Sequence, residues 1–285
     1  MKAEVLIDPA EFLERAARLL ADEARHNLIL GIVRTLIDSP DVFPEFRLYL
    51  VSADDHPLVG GVLTPPFKVA ISDAVDVAGL APLATLIAAD IDVPGAVGNH
   101  PTIERFVAEW QSLMGGDPTL EMDQGVWALR EVQPVPEPPG RARAAVPSDQ
   151  KIIERWIGEF VAEALPYEDH DPDQMRVAIA RRLSGADQRA YWLWERDGVP
   201  VSLSGHGSTT GNGIRIGPVY TPVVQRGNGY ASALVAAESQ WLLDSGYQFC
   251  FLYTDLANPT SNAIYQRIGY EQIAESAMYG FSDRG

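Results

Sequence analysis

Four prolines fall within one eight-residue run, Gln133-Pro134-Val135-Pro136-Glu137-Pro138-Pro139-Gly140. Proline lacks a backbone N–H and fixes φ, so this run can continue neither a helix nor a central strand. The chain is expected to reach it as one folded unit and leave it as another, through an extended connection. At 285 residues, two units of ordinary domain size follow. They are residues 1–133 and 141–285, with 134–140 as the linker.

Turn formers and apolar spacing predict the second unit in detail. Arg141 to Val146 reads as a short strand, and Ser148 or Asp149 then caps a helix to about Leu165. The polar stretch Tyr167-Glu168-Asp169-His170-Asp171-Pro172 separates it from a second helix, Asp173 to Leu183. Tyr191 to Arg196 and Val199 to Gly205 form strands around the tight turn Asp197-Gly198. A strand from Ile214 to Thr221 enters a glycine-rich turn, and a helix runs from about Gly229 to Asp244. A strand Gln248 to Thr254, a helix Pro259 to Ile268 and terminal strands from Tyr270 complete the unit. The order β-α-α-β-β-β-α-β-α-β implies an α/β fold, a mixed sheet with helices on both faces.

The first unit carries a fainter copy of that order. Tyr49 to Gly61 repeats the strand, charged turn and strand of Tyr191 to Gly205. Strands near Lys68–Ser72, Gly95–Gly98 and Glu121–Glu131 alternate with helices near Leu80–Ala89 and Thr102–Met114. An internal duplication is the economical reading.

Chemistry concentrates in Val219-Tyr220-Thr221-Pro222-Val223-Val224-Gln225-Arg226-Gly227-Asn228-Gly229-Tyr230-Ala231. A strand feeding a glycine turn that opens a helix leaves backbone N–H groups pointing outward, suited to a phosphate or pyrophosphate. The corresponding stretch of the first unit, Ser72 to Gly79, has Asp73 and Asp76 and no arginine, so it should repel such a ligand. The cofactor is therefore expected in the second unit alone.

Bulk composition excludes other classes. The net charge of −17 argues against a nucleic-acid surface. It is concentrated in residues 1–140, with 9 basic and 22 acidic side chains, against 13 and 17 in residues 141–285. No apolar run approaches the length of a membrane span, and the N-terminus does not read as a secretory signal. The single cysteine, Cys250, sits in an apolar strand and fits a reducing cytoplasm and a structural role. His26, His56 and His100 show no metal-ligand spacing.

Arg226-Gly227-Asn228-Gly229-Tyr230-Ala231 resembles the Arg-x-x-Gly-x-Ala pattern of the GNAT acetyltransferase superfamily. Downstream, Asn258 to Tyr270 is similar to that family's Asn-x₆-Tyr-x₃-Gly-(Phe/Tyr) helix. The resemblance covers residues 141–285, and the whole chain is similar to a predicted bacterial group with a degenerate N-terminal copy before an active one. It implies two tandem GNAT-like domains and acetyl-CoA as co-substrate. Val219, Tyr220 and Thr221 would pair with the pantetheine arm, a backbone N–H near Val219 would stabilise the oxyanion, and the N–H groups of Gly227 to Ala231 would hold the pyrophosphate. Arg226 would add a phosphate contact, Ser232 a hydroxyl, and Asn258 a bond to pantetheine unless it serves as a helix cap. Tyr265 would protonate the departing thiolate.

The resemblance further implies an N-acetyltransferase acting on a small-molecule or peptide amine, without metal. Glu168, His170, His206 and Asp255 are candidate bases, with nothing to select among them. A non-catalytic acyl-CoA sensor or scaffold is an alternative. So is a dinucleotide-binding oxidoreductase, although Ser232 replaces its third glycine and Asp255 lies too far on.

Overall fold

The computed structural model describes residues 1–164, 171–185 and 188–281. The first half runs β1 (Lys2–Leu6), α1 (Pro9–Arg15), α2 (Asn27–Asp38), β2 (Arg47–Ala53), β3 (His56–Leu63), β4 (Val69–Ile71), α3 (Leu80–Asp90), β5 (Gly95–Asn99), α4 (Thr102–Met114) and β6 (Thr119–Leu129). The second runs β7 (Arg141–Ala144), α5 (Gln150–Ala164), α6 (Pro172–Leu183), β8 (Ala190–Arg196), β9 (Val199–Thr209), β10 (Gly213–Ile216), α7 (Tyr230–Asp244), β11 (Phe249–Asp255), α8 (Pro259–Ile268) and β12 (Glu271–Gly280). The two orders are identical, so the first half contains a strand and two helices, β1, α1 and α2, that the sequence reading left unassigned.

All twelve strands form one sheet, ordered β1-β2-β3-β4-β5-β12-β6-β11-β10-β9-β8-β7. Neighbours are antiparallel except β4–β5 and β10–β11, which are parallel. Read from either edge, the order is the same, as in a two-fold dimer written into one chain. The halves exchange their last strands. β6 pairs with β11 of the second half over Gln124–Leu129, and β12 pairs with β5 of the first over Gly95–Asn99. β6 and β12 pair with each other at the centre.

Alternation along the strands gives each face a core. In β2, Leu48 and Leu50 pack with Phe12 and Val33 under α1 and α2, while Tyr49 and Val51 pack with Leu83 and Phe106 under α3 and α4. In the second half, Leu193 and Leu203 meet Trp156 and Ile179 of α5 and α6. Cys250 and Leu252 meet Val235 and Ile268 on the α7–α8 face. Burial pushes the Cys250 thiol up to about 12, which leaves it a neutral core group. The proline run has no regular structure and docks on the second half. Gln133 N–H donates to Ile268 O, and Trp194 Nε1 donates to Pro139 O.

The halves also meet across the α5–α6 face, where α2 lies over β9. Arg34 Nε donates to Thr210 O at 2.9 Å, Glu23 accepts from Asn212 Nδ2 at 2.7 Å, and the Tyr253 hydroxyl donates to buried Asn27 at 2.7 Å. Among the described residues no helix is long and apolar enough to cross a membrane.

Candidate active site

The predicted strand Ile214–Thr221 is shorter than expected. β10 ends at Ile216, and its ladder with β11 stops at the pair Arg215–Phe251. Gly217, at φ +145°, and Pro218 break the strand, since proline has no N–H to donate. The chain then leans back onto β9. Gly217 N–H donates to Gly205 O, and Tyr220 exchanges both backbone bonds with Leu203. The sheet opens between this segment and β11. In an antiparallel pair, Tyr220 facing β9 turns the peptide groups of Val219 and Thr221 the other way, into the opening.

The glycine turn follows. Gly227 and Gly229 have φ of +79° and +80°, the left-handed region that a side chain resists. A Cβ at either would meet nothing within 4 Å, so the requirement is conformational. Gly229 is the N-cap of α7 and supplies no side-chain bond, leaving the first-turn N–H groups for an incoming anion. Asn228 donates its amide to Gln225 O and Arg226 O, which fixes the turn.

The remaining predicted residues occupy distinct positions. Arg226 donates through Nε to Thr221 O at 2.9 Å and through Nη2 to Glu163 of α5 at 2.6 Å, with its Cζ 5.8 Å from the Tyr220 ring centre. The Glu163 carboxylate raises the Arg226 pKa. Burial, with a hydrogen bond to Glu159, raises that of Tyr220. Tyr230 points its ring into the core, bonded to Arg196, so only its backbone faces the turn. Ala231 and Ser232 are half-buried in the first turn of α7. Thr221 Oγ1 lies 2.8 Å from Ser202 Oγ.

Asn258 caps α8 by accepting from Ser261 N–H at 3.1 Å. Tyr265 and Val219 join the same apolar cluster on the α7–α8 face, which brings the proposed acid and the opening together. Burial raises the Tyr265 pKa, and its hydroxyl bonds to no other described residue. A phenol so placed stays protonated and able to donate at neutral pH.

Of the four candidate bases, Glu168 and His170 lie outside the described residues. His206 is buried with Glu238 of α7, its Nδ1 2.8 Å from the carboxylate, while Ser204 donates to the other oxygen. That pair fastens α7 to β9. Asp255 accepts from Ala257 N–H and closes the turn after β11.

Sequence reasoning missed Glu159 and Glu163. Their i, i+4 spacing marks one face of α5, but not which loop that face meets. It also missed Asn262, whose Nδ2 lies near Asp255 O and whose buried Oδ1 has no described partner. No metal-holding group of His, Cys, Asp and Glu occurs among the described residues.

The first half repeats the opening with different chemistry. After β4, Ser72 N–H donates to Gly60 O and Val75 N–H to Leu58 O, so the chain again leans away from its parallel neighbour. Asp73 enters the opening and pairs with Arg25, with His26 Nε2 3.7 Å away. Asp76 caps its own turn, accepting from Ala78 N–H at 2.9 Å.

Burial lowers the pKa of His26, with Asp73 opposing. A depressed histidine contributes stability above its unfolded value, about 6.5, that is lost as pH falls toward the folded value. The urea midpoint should therefore fall between pH 7.5 and pH 5 by more in the parent than in His26→Gln. Equal falls would contradict this.

Residues 152–270 match the family model described as acetyltransferase (GNAT) family. No curated protein matches the chain. Among solved structures, a GCN5-related N-acetyltransferase from Sphaerobacter thermophilus is similar, with 17% identity, TM-score 0.63, and coverage of 98% of this chain and 94% of that one. A tandem GNAT protein from the clavulanic acid biosynthesis pathway has 14% identity and TM-score 0.60 over 99% and 100% of the chains. A Drosophila protein has 12% identity and TM-score 0.66 over 99% of each. Residues 152–270 thus form a domain of the acetyltransferase (GNAT) family, within a chain that has the fold of the tandem proteins of that family.

Proposed function

We propose that the second half is an acetyl-CoA-dependent N-acetyltransferase and that the first half is a degenerate copy without a cofactor. The units we assign are residues 1–133 and 141–285, joined by 134–140, each lending its last strand to the other's sheet. The observation that carries the reading is the uncapped start of α7 beside an opened strand pair. The turn offers N–H groups to a pyrophosphate, and Val219 and Thr221 offer backbone to a pantetheine arm. In the first half Asp76 caps the short turn just before α3, accepting from Ala78 N–H, and its charge would oppose a phosphate.

The reaction is attack of a neutral primary amine on the thioester carbonyl, with loss of the amine proton. The C–N bond forms, the C–S bond breaks, and the thiolate takes a proton from Tyr265. Val219 N–H supports the developing oxyanion. Arg226, Ser232 and Asn258 assist cofactor binding, Asn258 through the amide nitrogen that its capping bond leaves over. The dinucleotide alternative is disfavoured, because Ser232 stands where its fingerprint has a third glycine, and the parallel pair β10–β11 around the turn belongs to a largely antiparallel sheet rather than a parallel one.

Tyr265→Phe should retain acetyl-CoA affinity and lower kcat about 10²-fold or more, consistent with the usual contribution of a general acid. CoA release across an amine panel, with calorimetry for binding, measures both. Unchanged kcat would remove Tyr265 from the chemistry. Tight acetyl-CoA binding with no turnover of any amine would leave the sensor reading in its place.

A further inference from the structure

The opening in the first half encloses a small polar cavity that the proposed reaction does not use. The last pair of the β4–β5 ladder is Ile71–Gly98. At that end of the ladder lies a cavity of about 10 Å³, room for one water-sized group. Its walls come from both halves: His26 and Ile29 at the start of α2, Ser72 after β4, Asn99 of β5, Tyr253 of β11 and Ser276 of β12.

One wall carries an acceptor without a partner. His26 is only 8% exposed, and its Nε2 has no hydrogen-bond partner among the described residues. The ring is oriented from its far side, where Nδ1 lies 3.1 Å from Asp22 O. A carbonyl can only accept, so Nδ1 carries the proton and Nε2 keeps a lone pair. Burial lowers the His26 pKa and so maintains this neutral form at neutral pH. Asp73 stands beside the ring. One of its oxygens lies 3.7 Å from Nε2 and accepts from Arg25 Nε, and the other is buried with no described partner.

The other polar walls spend protons on the protein itself. Ser72 donates to Asp73 O, Ser276 to Gly98 O, Tyr253 to Asn27 Oδ1, and Asn99 Nδ2 to Arg25 O. A group entering the cavity therefore finds mainly acceptors, next to a carboxylate. A water would place its two protons there but find few donors for its own lone pairs. An ammonium group has protons to give and no lone pair to satisfy. Residues 1–140, with 22 acidic against 9 basic side chains, also favour a cation.

We propose that this cavity binds an ammonium group, the free ion or the head of a primary amine, held by His26 Nε2 and the Asp73 carboxylate. The site is separate from the cofactor turn of the second half, and its occupancy does not depend on acyl transfer. Because α2, β4 and β5 meet β11 and β12 around it, the bound cation braces the junction of the two halves.

The test titrates ammonium, methylammonium and tetramethylammonium chlorides into nitrogen-15-labelled protein at pH 7.5, with sodium chloride holding the ionic strength constant. The imidazole nitrogens are followed by NMR, with exposed His56 as internal control. His26 Nε2 should shift upfield and saturate with ammonium or methylammonium, half-way on the order of 10–100 mM, the range for a ligand of one or two heavy atoms. His56 and the tetramethylammonium titration should show no such shift. Tighter binding of methylammonium assigns a primary amine, and tighter binding of ammonium assigns the free ion. The urea midpoint should also rise when ammonium replaces sodium in the parent, and not in His26→Phe, which keeps a ring but loses the acceptor. If His26→Phe does not fold, the nitrogen titration of the parent decides alone. A His26 Nε2 that already accepts a hydrogen bond and ignores both ammonium and methylammonium marks a resident water and overturns the proposal. An equal response to tetramethylammonium overturns it as well.

Discussion

A chain stopped after Tyr270, lacking β12 and the five residues after it, should fail to fold in its first half as well as its second. β12 sits between β5 and β6, paired with five residues of one and nine of the other. Its removal exposes two interior strand edges at the centre of the sheet. At about 1 kcal/mol net per lost backbone bond, the cost rivals a whole stability of about 5–15 kcal/mol. Ala277, fully buried against Val69 and Phe106, adds an apolar contact. Calorimetry should show no cooperative transition in the truncated chain, and amide exchange should show β2 and β3 unprotected. A folded first half with protected β2 and β3 would contradict the exchange seen in the sheet. Ala277→Asp provides a milder version, because an unpaired buried carboxylate destabilises without removing the ladder.

The second large effect is on cofactor binding. Gly229→Asp should weaken acetyl-CoA binding about thirty- to hundredfold while leaving the fold intact. Aspartate tolerates the left-handed backbone better than most residues, and as an N-cap it would bond the first-turn N–H groups itself. It would give the second half the self-capped chemistry of Asp76. The loss combines occupied donors with like-charge repulsion, together roughly 2–3 kcal/mol at a partly exposed site. Gly229→Ala separates backbone strain from charge, and should lose only a few-fold in affinity. Calorimetry on both variants decides it, and equal affinity in the aspartate variant and the parent would remove the turn from the pyrophosphate site.

Much of the second half was legible because its punctuation is local. Asn258-Pro259 and Gly269 bracket α8 where the sequence places it, and the α7 start follows from Gly227 and Gly229. The first forty residues were not legible. α1 starts with an Asp8 cap and Pro9 but is only seven residues long, too short for a helical period to show, and α2 follows His26 with no side-chain cap to mark its start. Strand exchange was hidden for another reason. Alternation says which face of β6 and β12 is buried, but not which neighbour each strand takes. The site divides in the same way. The turn and its glycines are sequence-local, whereas Glu163 against Arg226 and Asp73 beside His26 arise only when distant segments meet.

The exchanged strands also impose an order in time. During synthesis the first half emerges complete in sequence but incomplete in structure, because β5 receives its neighbour only when residues 271–280 are made. Until then the β5 edge stands open, with unpaired N–H and C=O groups able to take a strand from another nascent chain. Maturation of the first half is thus timed by the last strand of the second, and a ribosome stalled in residues 141–270 would release a species prone to pairing with its own copies.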